Sequence, residues 1–193
     1  TDSVLNVDGV DTVSVTGGPV DADTGEALAE LSKDIEFDVV DDANAVAAEV
    51  TGSNGAGDLD EANSVVVSGG DVDTGEAAAI QSISGYEGSA SDYDITDNAA
   101  ALISAGDGVL DVDGVDIVSA SDPSVNANIG GVLAGFTADI EFDVVDDANA
   151  VVAEVAASGF GPGGLDEANT VVVSGGDVDT GEAAAIQSIS GYE

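Results

Sequence analysis

The chain has 193 residues, of which 40 are Asp or Glu, one is basic (Lys33) and none is His, giving a net charge of −39. Such a chain lacks the Lys and Arg that neutralise phosphates and is repelled by anionic lipid, so neither nucleic acid nor direct membrane insertion is expected, and no apolar run reaches the ~20 residues of a membrane span. Cys is absent, which excludes disulfides and thiol chemistry, while a hydrophobic content of 44% argues against the disorder that often accompanies acidity.

The first strand-like segment, VDTVSV, centres near Val13. DIEFDVV follows around Phe37, and after it Asp42 to Val50 places Ala43, Val46, Ala47 and Val50 at helical spacing. SVVVS centres near Val66, and Thr74 to Ser84 then sets Ile80 and Ile83 one turn apart beside Ala77 and Ala79. DYDIT centres near Ile95, and the stripe Ala99, Leu102, Ile103 follows within Asn98 to Ala105. VDIVSA around Val118 precedes the stripe Val125, Ile129, Val132, Leu133. DIEFDVV returns around Phe142, and TVVVS around Val172. The strands are short and β-branched. The helices run two to three turns, too short to persist alone, and need a sheet to lie against.

Helix ends are marked. Asp73-Thr74-Gly75-Glu76 fits a capping box, and Asp23 to Glu26 and Asp179 to Glu182 repeat it. Thr96 or Asp97 is expected to cap the helix after Ile95. Gly85, Gly106, Gly135 and Gly191 stand where a left-handed residue ends a helix. Much of the acidity is therefore structural, because carboxylates gather where the helix dipole favours them.

The chain repeats itself. DIEFDVVDDANAVAAEV (34–50) returns at 139–155 with one change, Ala47 to Val152, and Val65 to Glu87 is identical to Val171 to Glu193. Nested within this long period are about seven strand–helix modules of roughly 23 to 30 residues, the range of solenoid repeats. The expected fold is α/β, a repetitive strand–helix solenoid with a parallel sheet; a compact α/β domain and a parallel β-solenoid are the alternatives. Residues 1–105 form a first, four-module unit and residues 106–193 a second unit of three modules, in one continuous solenoid. A missing eighth module, missing terminal caps and the absence of Met at position 1 read as a piece of a longer array or a subunit that stacks end to end.

Charge of this size opposes compaction unless cations screen it, so high salt or a divalent ion is implied. Calcium takes six to eight oxygen ligands, and Asp-rich turns recur at fixed places. The candidate ligands are Asp8, Asp41, Asp42, Asp71, Asp73, Asp111, Asp113, Asp146, Asp147, Asp177 and Asp179. Equivalent turns of stacked modules would repel unless a cation sat between them. Against this, the spacings fit neither an EF-hand nor the GGxGxD calcium roll, and Asp21, Asp23 and Glu26 become Asn126, Asn128 and Gly131 in the second copy. Catalysis is not expected: without His, Cys or Arg most nucleophile–base arrangements cannot be built, and Lys33 becomes Ala138. Phe37 and Phe142 read as core, and Tyr86 and Tyr192 as loop packing or a contact to a neighbouring module.

The segments Tyr93 to Ala100 (YDITDNAA) and Val109 to Asp116 (VLDVDGVD) resemble the repeat regions of very large secreted bacterial proteins, including surface-layer proteins and biofilm adhesins. That resemblance implies secretion, an extended scaffold role and calcium dependence, and it transfers no catalytic residue. The function expected is a non-enzymatic extracellular or cell-surface scaffold of a surface layer, adhesin or filament, its partners being other copies or adjacent repeats end to end. The alternatives are a calcium- or ligand-binding module of a secreted protein and a salt-adapted domain of a halophile.

Overall fold

A computed structural model describes residues 12–31, 35–52, 59–157 and 163–193. Asp8, Lys33 and Phe160 lie outside the described residues. The chain divides into two compact units, residues 1–95 with 112–116 and residues 96–111 with 117–193. The fold is α/β, and every strand pairing within each unit is parallel.

In the first unit, β1 (Val13–Ser14) pairs with β2 (Ile35–Glu36), β3 (Asp38–Asp41) with β4 (Ser64–Val72), and β4 with β5 (Asp92–Asp97). Helix α1 (Ala22–Ala29) precedes β2, α2 (Ala43–Gly52) follows β3, and α3 (Thr74–Gln81) follows β4. Alternation along the strands places Val39, Val65 and Val67 in the core and turns Val40 outward. The DIEFDVV segment breaks at Phe37, whose ring is buried and whose carbonyl accepts the N–H of Asn63 at 2.8 Å. Residues before the break pair with β1 and those after it with β4. Helix α2 buries Ala43, Val46, Ala47 and Val50, the stripe read from the sequence. The two valines alone contribute on the order of 3–6 kcal/mol of burial, which offsets the weakness of so short a helix.

In the second unit, α4 (Ala99–Ala105) and α5 (Asp107–Leu110) precede β6 (Val115–Ala120), which pairs with β7 (Ile140–Glu141); α6 (Ala127–Leu133) lies between them. β8 (Asp143–Asp146) pairs with β9 (Thr170–Val173), α7 (Ala148–Ala157) follows β8, and α8 (Thr180–Ile186) follows β9. Phe142 breaks its segment as Phe37 does, its carbonyl accepting from Asn169 at 2.8 Å.

Several local expectations change. Helix α6 buries Ala127, Gly130 and Leu133, while Val132 is 43% exposed. A Cβ on Gly130 would lie 2.8 Å from Cγ2 of Val144, so this glycine is where helix meets sheet, a role that a hydrophobic stripe does not reveal. The cap of α1 is Asp21, which accepts the N–H of Thr24, and Asp23 sits inside the first turn. The cap of α4 is Asn98, which accepts from Ala101 at 3.1 Å, with Asp97 behind it accepting the N–H of Asn98. Of the four helix-ending glycines only Gly106 has a positive φ, 69°. Gly85 and Gly191 are required by close approach instead, since a Cβ would lie 2.9 and 2.8 Å from the carbonyl oxygens of Ala62 and Ala168.

Candidate functional site

The acidic residues are placed by strand ends and helix starts, and their geometry is dominated by backbone N–H groups. Asp41, at the end of β3, accepts the N–H of Ala22 on Oδ2 at 2.9 Å and that of Asp42 on Oδ1 at 2.9 Å. Asp146, at the end of β8, repeats this with Ala127 at 3.0 Å and Asp147 at 2.8 Å. Each carboxylate thus satisfies the first free N–H of the preceding helix while capping its own turn, two of the donors every helix start leaves unpaired. Asp122 makes the same tie to Ala99 at 2.6 Å.

The other candidate ligands fall into two groups. Asp42 and Asp147 cap α2 and α7 by accepting from Ala45 and Ala150, each at 3.1 Å. Asp73 and Asp179 are N-caps of complete capping boxes with Glu76 and Glu182. N–H donors of Glu182 and then Gly181 hold the Asp179 carboxyl below its ordinary value. The hydroxyl and then the N–H of Thr24 do the same for Asp21. Asp71, Asp111, Asp113 and Asp177 are exposed. Asp71 stands opposite Asp94 in the β4–β5 register, and the carbonyl of Asp113 accepts the Tyr86 hydroxyl at 2.9 Å. Among the described residues, no three or more acidic side chains come together in an arrangement that could hold a metal ion.

Other carboxylates tie distant turns: Asp60 accepts the N–H of Ser84 and Asp166 that of Ser190, both at 2.7 Å. The repeated LDEAN segment was the available signal, since each Asp lies 24 residues before its donor in both copies.

One acidic cluster has its own chemistry. Glu49 of α2 faces Glu26 and Asp23 of α1, and its carboxyl is pushed up to about 7. A hydrogen bond with Glu26 is the main cause, followed by burial and then by a hydrogen bond with Asp23. A protonated Glu49 carboxyl can donate to these neighbours, which its ionised form cannot do. In the second unit Asn128 and Gly131 replace Asp23 and Glu26, and Glu154 leans into the space a Cβ on Gly131 would need.

The aromatic residues form a second cluster. Tyr93 on β5 is 1% exposed, and its hydroxyl accepts from Nε2 of Gln81 at 2.8 Å. Burial raises the Tyr93 phenol, and burial, then the neighbouring Tyr93, raises that of Tyr86. Tyr86 is half-buried.

Compared with known proteins, the chain matches no family model, no curated protein and no solved structure.

Proposed function

We propose that this chain is a non-enzymatic structural protein, a strand–helix solenoid that serves as an extracellular or cell-surface scaffold of surface-layer, adhesin or filament type. One observation carries the reading: a carboxylate at a strand end, or two residues past it, ties back to the start of an earlier helix at Asp41–Ala22, Asp122–Ala99 and Asp146–Ala127. A tie that spans about one module each time is what an array stabilised by neighbour contacts uses. Consecutive strands that pair in parallel across helical crossovers support it further. The acidity then has two parts, carboxylates that fasten modules and a solvated anionic surface that salt screens.

The test is surface labelling of the source cells with an antibody raised against the chain. Signal on intact cells or in the surrounding matrix is expected; signal seen only after the cells are opened overturns the reading.

A further inference from the structure

In the first unit the strands turn one face to the helices and the other to solvent. Val39, Val65 and Val67 are fully buried on the side packed by α1 and α2. Burial alternates without interruption from Ile35 to Val40, so Glu36, Asp38 and Val40 share the opposite, exposed face. Val40 is 38% exposed although β3 is paired on both sides, with β4 and, through Val39, with Val20. Its exposure therefore belongs to the face and not to a strand edge. Parallel sheets are ordinarily covered on both faces.

The second unit repeats this face. Glu141, Asp143 and Val145 alternate with buried Ile140, Phe142 and Val144. Val145 is 41% exposed on a strand paired with β9 and, through Val144, with Val125. Val172, its neighbour across the β8–β9 register, is 37% exposed, and Val66 stands beside Val40 in the same way. Next to these valines, hydroxyls of the adjacent strand hold the carboxylates in place. Ser14 donates to Glu36 and Ser64 to Asp38, both at 2.8 Å. Thr170 donates to Asp143 at 2.6 Å and Ser119 to Glu141 at 3.4 Å.

We infer that this sheet face is a docking surface for a cationic amphipathic polypeptide, one whose apolar stripe is bordered by lysine or arginine. The face itself selects that chemistry. An uncharged apolar partner would cover Glu36, Asp38, Glu141 and Asp143 without pairing them, which is costly. A second copy laid face to face would set one row of carboxylates against another. A purely cationic partner would leave the valines in water. A partner with both features buries the valines and answers the carboxylates with charge-assisted hydrogen bonds. Both units carry the arrangement, so the chain offers two such sites. This binding goes beyond the scaffold reading and does not depend on it.

The test titrates the full chain into a labelled peptide of leucine and lysine patterned as an amphipathic helix, followed by fluorescence anisotropy. The controls are a scrambled peptide of the same composition and an oligolysine of equal charge. Saturable binding is expected, weakening as salt rises and roughly tenfold tighter than that of either control. Val40→Thr combined with Val145→Thr removes one exposed valine from each site and weakens binding about fourfold. Thr keeps the strand preference of Val, and circular dichroism checks that the variant is folded. Val132→Thr, at a position on α6 that is 43% exposed, leaves binding unchanged. Equal binding of the oligolysine or the scrambled peptide shows attraction by charge alone and overturns the inference. So does no binding, or an equal loss with Val132→Thr. Self-association of the chain that Val40→Thr abolishes also overturns it, by giving the face to a second copy.

Discussion

The backbone N–H of Ala22 donates to Oδ2 of Asp41 at 2.9 Å, across 19 residues of chain, and Ala127 and Asp146 repeat the bond at 3.0 Å. A helix start and the strand end beyond it are thus fastened by one carboxylate. Asp41→Ala removes the acceptor of both Ala22 and Asp42 and is expected to cost about 1–2 kcal/mol. Asp146→Ala is expected to match it. Denaturant titration at fixed high salt checks both; a loss below about 0.3 kcal/mol at both positions would show that the ties carry no stability.

Glu49 gives the first unit a pH dependence of unusual sign. Its folded pKa, about 7, lies above the ordinary 4.5, so its contribution is fully present below about pH 4.5 and is lost as pH rises through 7. Asp21 and Asp179 act oppositely: their lowered pKa values stabilise above the ordinary 3.8 and lose that effect as pH falls further. Glu49→Gln is therefore expected to raise the melting temperature at pH 8 and to change it little at pH 4. Glu154→Gln, which faces Asn128 and Gly131, relieves no such cluster and serves as the control. Thermal melts of both variants across pH 4–8 give the comparison.

Two glycine substitutions separate packing from helix propensity. Gly25→Ala in α1 gains about 1 kcal/mol of propensity, but its Cβ would lie 2.9 Å from Cγ2 of Val39 and 3.2 Å from the Phe37 ring. Val39 is β-branched and fully buried, so overpacking of about 1–3 kcal/mol is expected to win. Gly108→Ala in α5 meets nothing within 4 Å and is expected to stabilise by about 0.5–1 kcal/mol. Opposite signs in equilibrium unfolding are the expected result.

Salt and calcium separate cleanly. Asp41, Asp42, Asp73, Asp146, Asp147 and Asp179 spend carboxylate oxygens on backbone N–H groups. Asp71 and Asp94 face each other as like charges across β4 and β5. Monovalent salt is expected to raise the melting temperature steadily, and chelation of divalent ions at fixed ionic strength to leave it unchanged. A large fall on chelation would instead assign calcium a structural site.

Strands and helix stripes were legible where one module contains its own signal, as at Val65–Val67, at Ala43 to Val50, and at the capping boxes of Asp73 and Asp179. The Asp41–Ala22 tie was not, because its partners share no local spacing. The cap of α1 fell at Asp21 because the N–H of Ala22 is already taken by Asp41, a long-range fact that the Asp23-to-Glu26 motif cannot express. The roles of Gly25 and Gly130 have no local signal either: each lies where helix meets sheet, a Cβ there coming 2.9 and 2.8 Å from Cγ2 of Val39 and Val144. The loss of Asp23 and Glu26 charge in the second copy was visible, but Glu49, the residue they surround, becomes apparent only when α1 lies against α2.

The proposed solenoid predicts that stability in this chain adds up module by module. The most direct test is calorimetry of a chain with a second copy of residues 88–105 appended after Glu193, compared with the chain itself at the same salt. A repeat array gains a neighbour contact, and the melting temperature is expected to rise by about 2–4 °C for each kcal/mol gained. A melting temperature that stays level or falls would contradict the array and identify a closed α/β domain to which the added segment is a tail.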